Sequence, residues 1–503
     1  MDKKRLSINL ISNVLSYFVA TVLSFLITPF LVRNLGKEIY GFYGIANSFV
    51  NYITIVATAL NSMAAKYITV EYVRGNESQA KKYYSSIFFS NVILCLVLTP
   101  ILVVVILDLN VLLNISDVYV RQVQCLFGLI FAAMLLRFIT SVYGTATYTT
   151  NRMDYRAYID LVKAGLRLVH YLLLFTIFRP SIVYLGIVLF LLEAFNSIAQ
   201  IVISKKLMPT LKIEGKYFDF RLVLQTLKIG IWNSLNQLGD LLLSSSDLIM
   251  ANILLGESAS GNISIIKTLP TLISGVITAI NGVFMPRAAN YYAQGNKKEL
   301  VKEIKHSQKL MGTVITPLVV TLIVFTSDFL NLWVPGNDIE LLTNLANIDI
   351  SRMLIVAVVW PVANLNIILD KVKTPSLLVI ASGVLNIVSM YALTTYTDIR
   401  IYAIVVTTFV LTLLFYGLFI PIYSSKNLEI SLWSFLKAEG QMLLSSVVTY
   451  YVVKLIHSCF TINTWFSFII IGGICGIVAI VIGLVVFWFD SINNVGKQII
   501  RRK

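Results

Sequence analysis

Apolar stretches of about 20 residues recur along the chain, separated by short polar or basic segments. Each stretch is long enough to cross a bilayer as a helix. Fourteen spans are read, near 9–32, 39–64, 83–107, 122–146, 157–178, 182–203, 222–253, 261–285, 308–327, 350–368, 375–396, 400–422, 439–458 and 465–489. The fold class predicted is an all-α polytopic membrane protein. A β-barrel would instead show short segments of strict alternation.

One segment of this pattern occurs twice. Residues 35–76 and 255–296 align without a gap at an offset of 220, and twelve of the 42 positions are identical. The identities include Gly36/Gly256, Gly41/Gly261, Asn61/Asn281, Tyr72/Tyr292 and Gly75-Asn76/Gly295-Asn296. Such self-similarity is far above chance for this composition. Spans two and eight are six spans apart, so both run in the same direction and the repeat is parallel. The halves should be related by a pseudo-two-fold axis along the membrane normal, with substrate at their interface. This predicts a six-helix lobe over 1–220, a second over 221–424, and two C-terminal helices with a basic tail over 425–503. Gly-Asn is expected to end a helix in each copy. The basic stretches that follow, 78–86 and 297–308, are expected to lie as separate helices at the membrane surface.

Composition supports the class and narrows the partners. The chain of 503 residues is 57% hydrophobic and 13% charged, with mean hydropathy +0.81. That leaves too little polar surface for a soluble protein. The net charge of +15 would suit nucleic acid, but its placement does not. Most Lys and Arg fall at the two ends and on alternate loops, the distribution of cytoplasmic segments facing anionic lipid. Both termini are therefore expected in the cytoplasm, with membrane lipids rather than nucleic acid as partners. The MDKKR start reads as the flank of an uncleaved first helix. The four cysteines and three histidines are scattered, with neither metal spacing nor a disulfide framework. No cofactor is implied, and no Walker motif is present.

Charges inside apolar spans are costly and normally face protein or water. Asp160, Lys163, Arg167 and His170 are spaced to share one helical stripe. Arg137 lies in span four, Glu193 near the middle of span six, and Lys267 in span eight. Asp240 and Asp247, seven residues apart, should share a face of span seven. One reading pairs these groups within the lobes, Glu193 with Arg137 or Arg167 and Asp247 with Lys267. The other notes that Arg137, Lys163 and Arg167 exceed the one nearby Glu, and that excess cations in a cavity suit a phosphate-bearing substrate. Arg137, Lys163, Arg167 and Lys267 are thus the candidate substrate-binding residues. Glu193, Asp240, Asp247 and His170 are candidates for gating or for proton or sodium coupling.

The pattern LITPFLVRNLG…YG over 26–41 and DLIMANILLG over 247–256 resemble Wzx-type oligosaccharide flippases. These form part of the polysaccharide-transporter branch of the multidrug/oligosaccharidyl-lipid/polysaccharide exporter superfamily. The resemblance covers nearly the whole chain, and fourteen spans fit that branch. It implies two six-helix bundles facing across a cavity in a bacterial inner membrane. It also implies movement of an undecaprenyl-diphosphate-linked oligosaccharide to the outer leaflet for surface polysaccharide export. A polymerase and a chain-length regulator of the same pathway would be partners. Peptidoglycan-precursor or teichoic-acid flippases share the architecture. A drug–cation antiporter would call for an acidic cavity. A glycan polymerase or glycosyltransferase would need positioned carboxylates or a metal cluster beside a large loop, so a transporter rather than an enzyme is expected.

Overall fold

A computed structural model describes residues 3–61, 64–150, 152–369 and 371–501. The described residues are helical nearly throughout, and no strand occurs among them. The chain divides into two compact units at Ser264/Ile265. The first holds α1 (Lys3–Leu35), α2 (Lys37–Asn61), α3 (Ala64–Val73), α4 (Glu77–Leu107), the short α5 (Leu109–Leu112), α6 (Val120–Thr140), α7 (Thr145–Thr149), α8 (Met153–Ile177), α9 (Val183–Leu207), α10 (Phe220–Ser244) and α11 (Asp247–Leu255). Helix α12 (Glu257–Ile266) carries the chain across the division. The second unit holds α13 (Thr268–Ala293), α14 (Lys297–Trp333), α15 (Ile339–Ile368), α16 (Lys373–Tyr396), α17 (Tyr402–Thr412), α18 (Ile420–Asn427), α19 (Trp433–Ser458) and α20 (Trp465–Arg501). A π-helical stretch, Leu413–Phe419, joins α17 to α18.

In the first unit α1 packs on α8, α2 on α10 and α6 on α9. In the second, α14 is the central helix, covered by α13, α15, α19 and α20. The compact division is not the repeat boundary. Helices α10 and α11, the start of the second repeat, pack with α2 inside the first unit. The C-terminal helices α19 and α20 belong to the second unit, where Phe325, Val453, Ile471, Cys475 and Ala479 form a common core.

The outward faces explain the apolar composition. Ile93, Leu96, Val97, Val104 and Leu107 form an exposed stripe on α4, and Leu444, Val447, Tyr451 and Leu455 form one on α19. Continuous apolar faces of this kind belong in lipid. Ten helices among the described residues are long and apolar enough to cross a membrane. The count is eleven if the pair Gly230–Ser244 and Asp247–Leu255, bent by 43°, forms one broken span. Among the described residues the fourteen expected spans lie mostly on helix, with residues 62 and 63 of the second span outside the described residues, but length and composition do not carry the count to fourteen. Helix α8 contains Asp154, Arg156, Asp160, Lys163 and Arg167, and α19 contains Lys437, Glu439 and Lys454. In α1 the apolar part is the shorter Val19–Leu35.

The repeated residues take matching local shapes. Gly36 and Gly256 have φ of 84° and 90° and end α1 and α11. Gly75 and Gly295 have φ of 77° and 69°. Asn76 N–H donates to Glu71 O at 3.0 Å, and Asn296 N–H to Tyr291 O at 3.0 Å. Gly75 and Gly295 N–H donate to the carbonyls of Tyr72 and Tyr292 at 3.1 and 2.9 Å. This is the Schellman ending, which requires the left-handed conformation that glycine alone adopts without strain. Each Asn then caps the next helix: Asn76 Oδ1 accepts from Gln79 N at 3.3 Å and Asn296 Oδ1 from Glu299 N at 3.2 Å. With its cap in place and no Gly or Pro in the basic stretch, each following helix runs straight on. Residues 78–86 and 297–308 are thus the first turns of α4 and α14, not separate surface helices as expected.

The identical pair Gly41/Gly261 is in direct contact. A Cβ on Gly41 would lie 2.9 Å from Gly261 N, and one on Gly261 would lie 2.5 Å from Lys37 O. Only glycine permits backbones this close. At one end of the first unit, the loop after α5 clasps α11 and α12. Asn114 N–H donates to Asn252 Oδ1 at 2.9 Å, Asn114 Nδ2 to Asn252 O at 2.8 Å, and Ser116 Oγ to Glu257 Oε1 at 2.9 Å.

Candidate functional site

The first unit contains a cavity of about 460 Å³. Its charged lining is Arg137 from α6, Arg156, Asp160 and Lys163 from α8, and Glu193 from α9. Asn61, Thr140, Ser141, Tyr143, Asn196 and Gln200 add hydrogen-bonding groups. The helical period sets this lining. Arg156, Asp160 and Lys163 are four and three residues apart, and Glu193, Asn196 and Gln200 three and four, so each helix turns one stripe inward.

The groups are held by a chain of contacts. Lys163 Nζ lies 3.7 Å from Glu193 Oε2, with the two side chains 22% and 13% exposed. Asn196 Nδ2 donates to Glu193 Oε1 at 2.7 Å, and Gln200 Nε2 to Asn196 Oδ1 at 3.1 Å. The amide ladder therefore fixes the carboxylate more tightly than the ammonium does. Arg137 donates from Nη2 to Thr54 Oγ1 at 3.4 Å, a long bond that leaves the guanidinium facing the cavity. At the start of α8, Arg152 donates to both Asp154 oxygens, at 3.0 Å from Nε and 2.9 Å from Nη2. Those hydrogen bonds hold the Asp154 carboxyl below the usual carboxylate range.

The structure rearranges the expected partners. Glu193 pairs with Lys163, not with Arg137 or Arg167. The stripe on α8 divides: Asp160 and Lys163 line the cavity, while Arg167 and His170 are absent from its wall. Arg167 Nη1 donates to Ser24 Oγ of α1 at 3.2 Å, and His170 Nδ1 faces Leu166 O at 2.6 Å within its own helix. Asp240 and Asp247 do not sit on one continuous helix. The chain breaks at Ser245–Ser246, leaving Asp240 near the end of α10 and Asp247, fully buried, at the start of α11. Tyr52 of α2 packs at this break, its phenol donating to Leu241 O at 3.1 Å.

In the second unit Lys267 sits at the junction of α12 and α13, with Nζ 3.4 Å from Asp349 Oδ1. Arg352 Nε donates to the same oxygen at 2.7 Å. Asp349 is wholly buried and the Arg352 side chain is 9% exposed. Span ten as read from the sequence begins at 350, which leaves Asp349 just outside it; Arg352 lies within the span but was not counted among the buried charges. Helix α15 starts at Ile339, which places Asp349 three turns inside. Their i,i+3 spacing was the available signal. Arg156, Asn196 and Gln200 were also missed. The first was read as a loop cation, and uncharged amides give no signal in a charge census. Among the described residues no His, Cys, Asp and Glu groups gather in a metal-binding cluster.

Comparison with known proteins places this architecture. The chain is similar over 468 residues, at 25% identity, to the uncharacterized membrane protein EpsK of Bacillus subtilis (strain 168), covering 93% of this chain and 92% of EpsK. Its fold matches the lipid II flippase MurJ in an inward closed conformation, with a TM-score of 0.67 at 13% identity, over 96% of this chain and 100% of MurJ. It also matches an inward-facing multidrug resistance MATE family transporter of the MOP superfamily, with a TM-score of 0.66 at 16% identity, over 85% and 99% of the two chains. The polysaccharide biosynthesis protein family matches residues 6–292, more than half of the sequence. With its helical membrane fold, this multi-pass chain belongs to the polysaccharide biosynthesis protein family.

Proposed function

We propose that the protein flips an undecaprenyl-diphosphate-linked oligosaccharide repeat unit from the cytoplasmic to the outer leaflet of a bacterial inner membrane, for surface polysaccharide export. The observation that carries this reading is the composition of the cavity wall. Three cations, Arg137, Arg156 and Lys163, stand against two carboxylates, Asp160 and Glu193, among amides and hydroxyls. The cationic balance suits a diphosphate, and the amides and hydroxyls suit sugar hydroxyls. Arg137 offers a planar fork for phosphate oxygens, and Lys163 a mobile point charge. The polyprenyl tail stays in lipid while the polar head enters. Glu193 competes with the phosphate for Lys163, so binding and release are linked through one ammonium. Asp240 and Asp247 flank a broken helix, a common device at transporter binding and coupling sites, and Lys267 sits at a second junction. Proton or sodium coupling through these carboxylates, a cytoplasmic position for both termini, and contact with a pathway polymerase and chain-length regulator belong to the same proposal. An inside-negative potential assists outward movement of an anion by about 2.3 kcal/mol per charge per 100 mV.

The test is a flipping assay in proteoliposomes with a polyprenyl-diphosphate oligosaccharide. A hydrogen bond to a charged group contributes about 1.5–3 kcal/mol. Arg137→Ala and Lys163→Ala are each expected to slow flipping by about 10- to 100-fold, with partial rescue by Lys163→Arg. Near wild-type rates in both alanine variants would exclude the cavity as the diphosphate site.

A further inference from the structure

The second unit carries a basic groove of about 800 Å³ that the transport reading does not use. One wall is the first three turns of α14, where Lys298, Lys302, Lys305 and Lys309 fall four, three and four residues apart on one face. The other wall is Ile430 and Ser434, and Trp488 of α20 lies across the groove. The indole is fixed: Nε1 donates to Thr313 Oγ1 at 3.0 Å, and the His306 ring meets its edge at 5.1 Å. Lys309 Nζ lies 5.6 Å from the indole centroid.

The charge in this groove is poorly compensated. Lys302 is shared with Glu299 at 3.3 Å, and Lys297 with Glu429 at 3.5 Å, both pairs exposed. Among the described residues no carboxylate pairs with Lys298, Lys305 or Lys309. The like charges of Lys309 and Lys437 bear on Lys305. An anion is the missing complement. The groove also marks a change of medium along α14. From Leu310 to Ser327 the helix carries no charge at all, so the lysines stand where the apolar length begins. A fixed indole at such a boundary is characteristic of the headgroup layer.

We infer that this groove binds the phosphodiester headgroup of an anionic phospholipid. The phosphate would sit among Lys298, Lys305 and Lys309, with the glycerol and upper acyl chain along Trp488 and Ile430. The groove is far larger than a free phosphate needs, and Val301, Ile430 and Trp488 give it apolar lining beside the lysines. A lysine near an anionic membrane surface gains about five-fold in affinity, so losing two costs about 20- to 30-fold. This inference is independent of the cargo site, because no residue of the first-unit cavity takes part.

The experiment titrates the full-length protein in detergent with short-chain phosphatidylglycerol and counts bound lipid by native mass spectrometry. Wild type is expected to retain phosphatidylglycerol in preference to phosphatidylcholine. The Lys305→Gln/Lys309→Gln variant should bind about 20- to 30-fold more weakly, while Lys305→Arg/Lys309→Arg retains binding. An unchanged thermal midpoint in phosphatidylcholine confirms that the Gln variant is folded. Equal retention of both lipids, or wild-type binding by the Gln variant, overturns the inference. Displacement of the lipid by inorganic phosphate at equal concentration also overturns it, by assigning the groove to free phosphate.

Discussion

Replacing Gly261 with alanine should destabilise the first unit, and the structure fixes the size of the effect. The new Cβ would stand 2.5 Å from Lys37 O, 2.8 Å from Lys37 C and 3.2 Å from Glu38 N. All three are backbone atoms at the start of α2, so no side-chain rotation relieves the clash. Helix α12 must instead move away from α2, and overpacking of this kind costs about 1–3 kcal/mol. Alanine also restores helix propensity worth up to about 1 kcal/mol, which partly offsets the loss. Gly476→Ala isolates that second effect, because a Cβ on Gly476 in α20 meets nothing within 4 Å. The prediction is therefore a difference between two chemically identical substitutions. Gly261→Ala should be about 1–3 kcal/mol less stable than Gly476→Ala. At about 2–4 °C per kcal/mol for a domain of 150–250 residues, this separates their thermal midpoints by about 2–12 °C. Thermal unfolding of the detergent-solubilised variants, followed by tryptophan fluorescence, reads it directly. Equal midpoints would refute the close approach of α2 and α12.

Two further outcomes follow from local geometry. Asn76→Ala and Asn296→Ala each remove the side-chain cap on the following helix while keeping the backbone N–H that closes the preceding one, so each should cost about 0.5–2 kcal/mol, read as a lower midpoint, with Asp in place of Asn keeping the cap. The Arg152–Asp154 pair makes stability depend on acid: a carboxyl held below its unfolded value stabilises the fold above the unfolded pKa of about 3.9, and that contribution is lost as pH falls through the lower folded value; thermal midpoints from pH 5 downward should fall more steeply for wild type than for Asp154→Asn, and parallel curves would refute the linkage.

The helices were legible in the sequence because twenty-residue apolar runs have few alternatives. Gly75-Asn76 was legible as a helix ending for the same kind of reason, since a left-handed turn admits few residue types. What was not legible was where helices begin and break. The basic stretch 297–308 continues into α14 because Asn296 caps it and no breaker follows, a continuity that hydropathy alone does not report. Span seven reads as one segment, yet it is interrupted at Ser245–Ser246, residues that hydrogen-bond locally rather than merely break the chain. For the candidate site, charge counting found Arg137, Lys163 and Glu193 but could not choose their partners. The choice depends on the rotation of α8 against α9, which brings Lys163 to Glu193 and turns Arg167 toward Ser24 of α1. Asp349 was overlooked because span ten was begun at 350 where α15 begins at Ile339, and Arg352, inside the span, gave no sign of its partner without Asp349.

The contact between Gly41 and Gly261 makes two aligned positions of the repeat answer to a single gap. A methyl added at either one would enter the same space from its own side, so neither substitution can be relieved by the other. Both positions are therefore held to glycine by one constraint. Aligned positions outside the contact carry unlike residues: 27 is isoleucine where 247 is aspartate, and 47 is asparagine where 267 is lysine. The shared glycines set how closely α2 and α12 approach, and these two charges belong to one copy only.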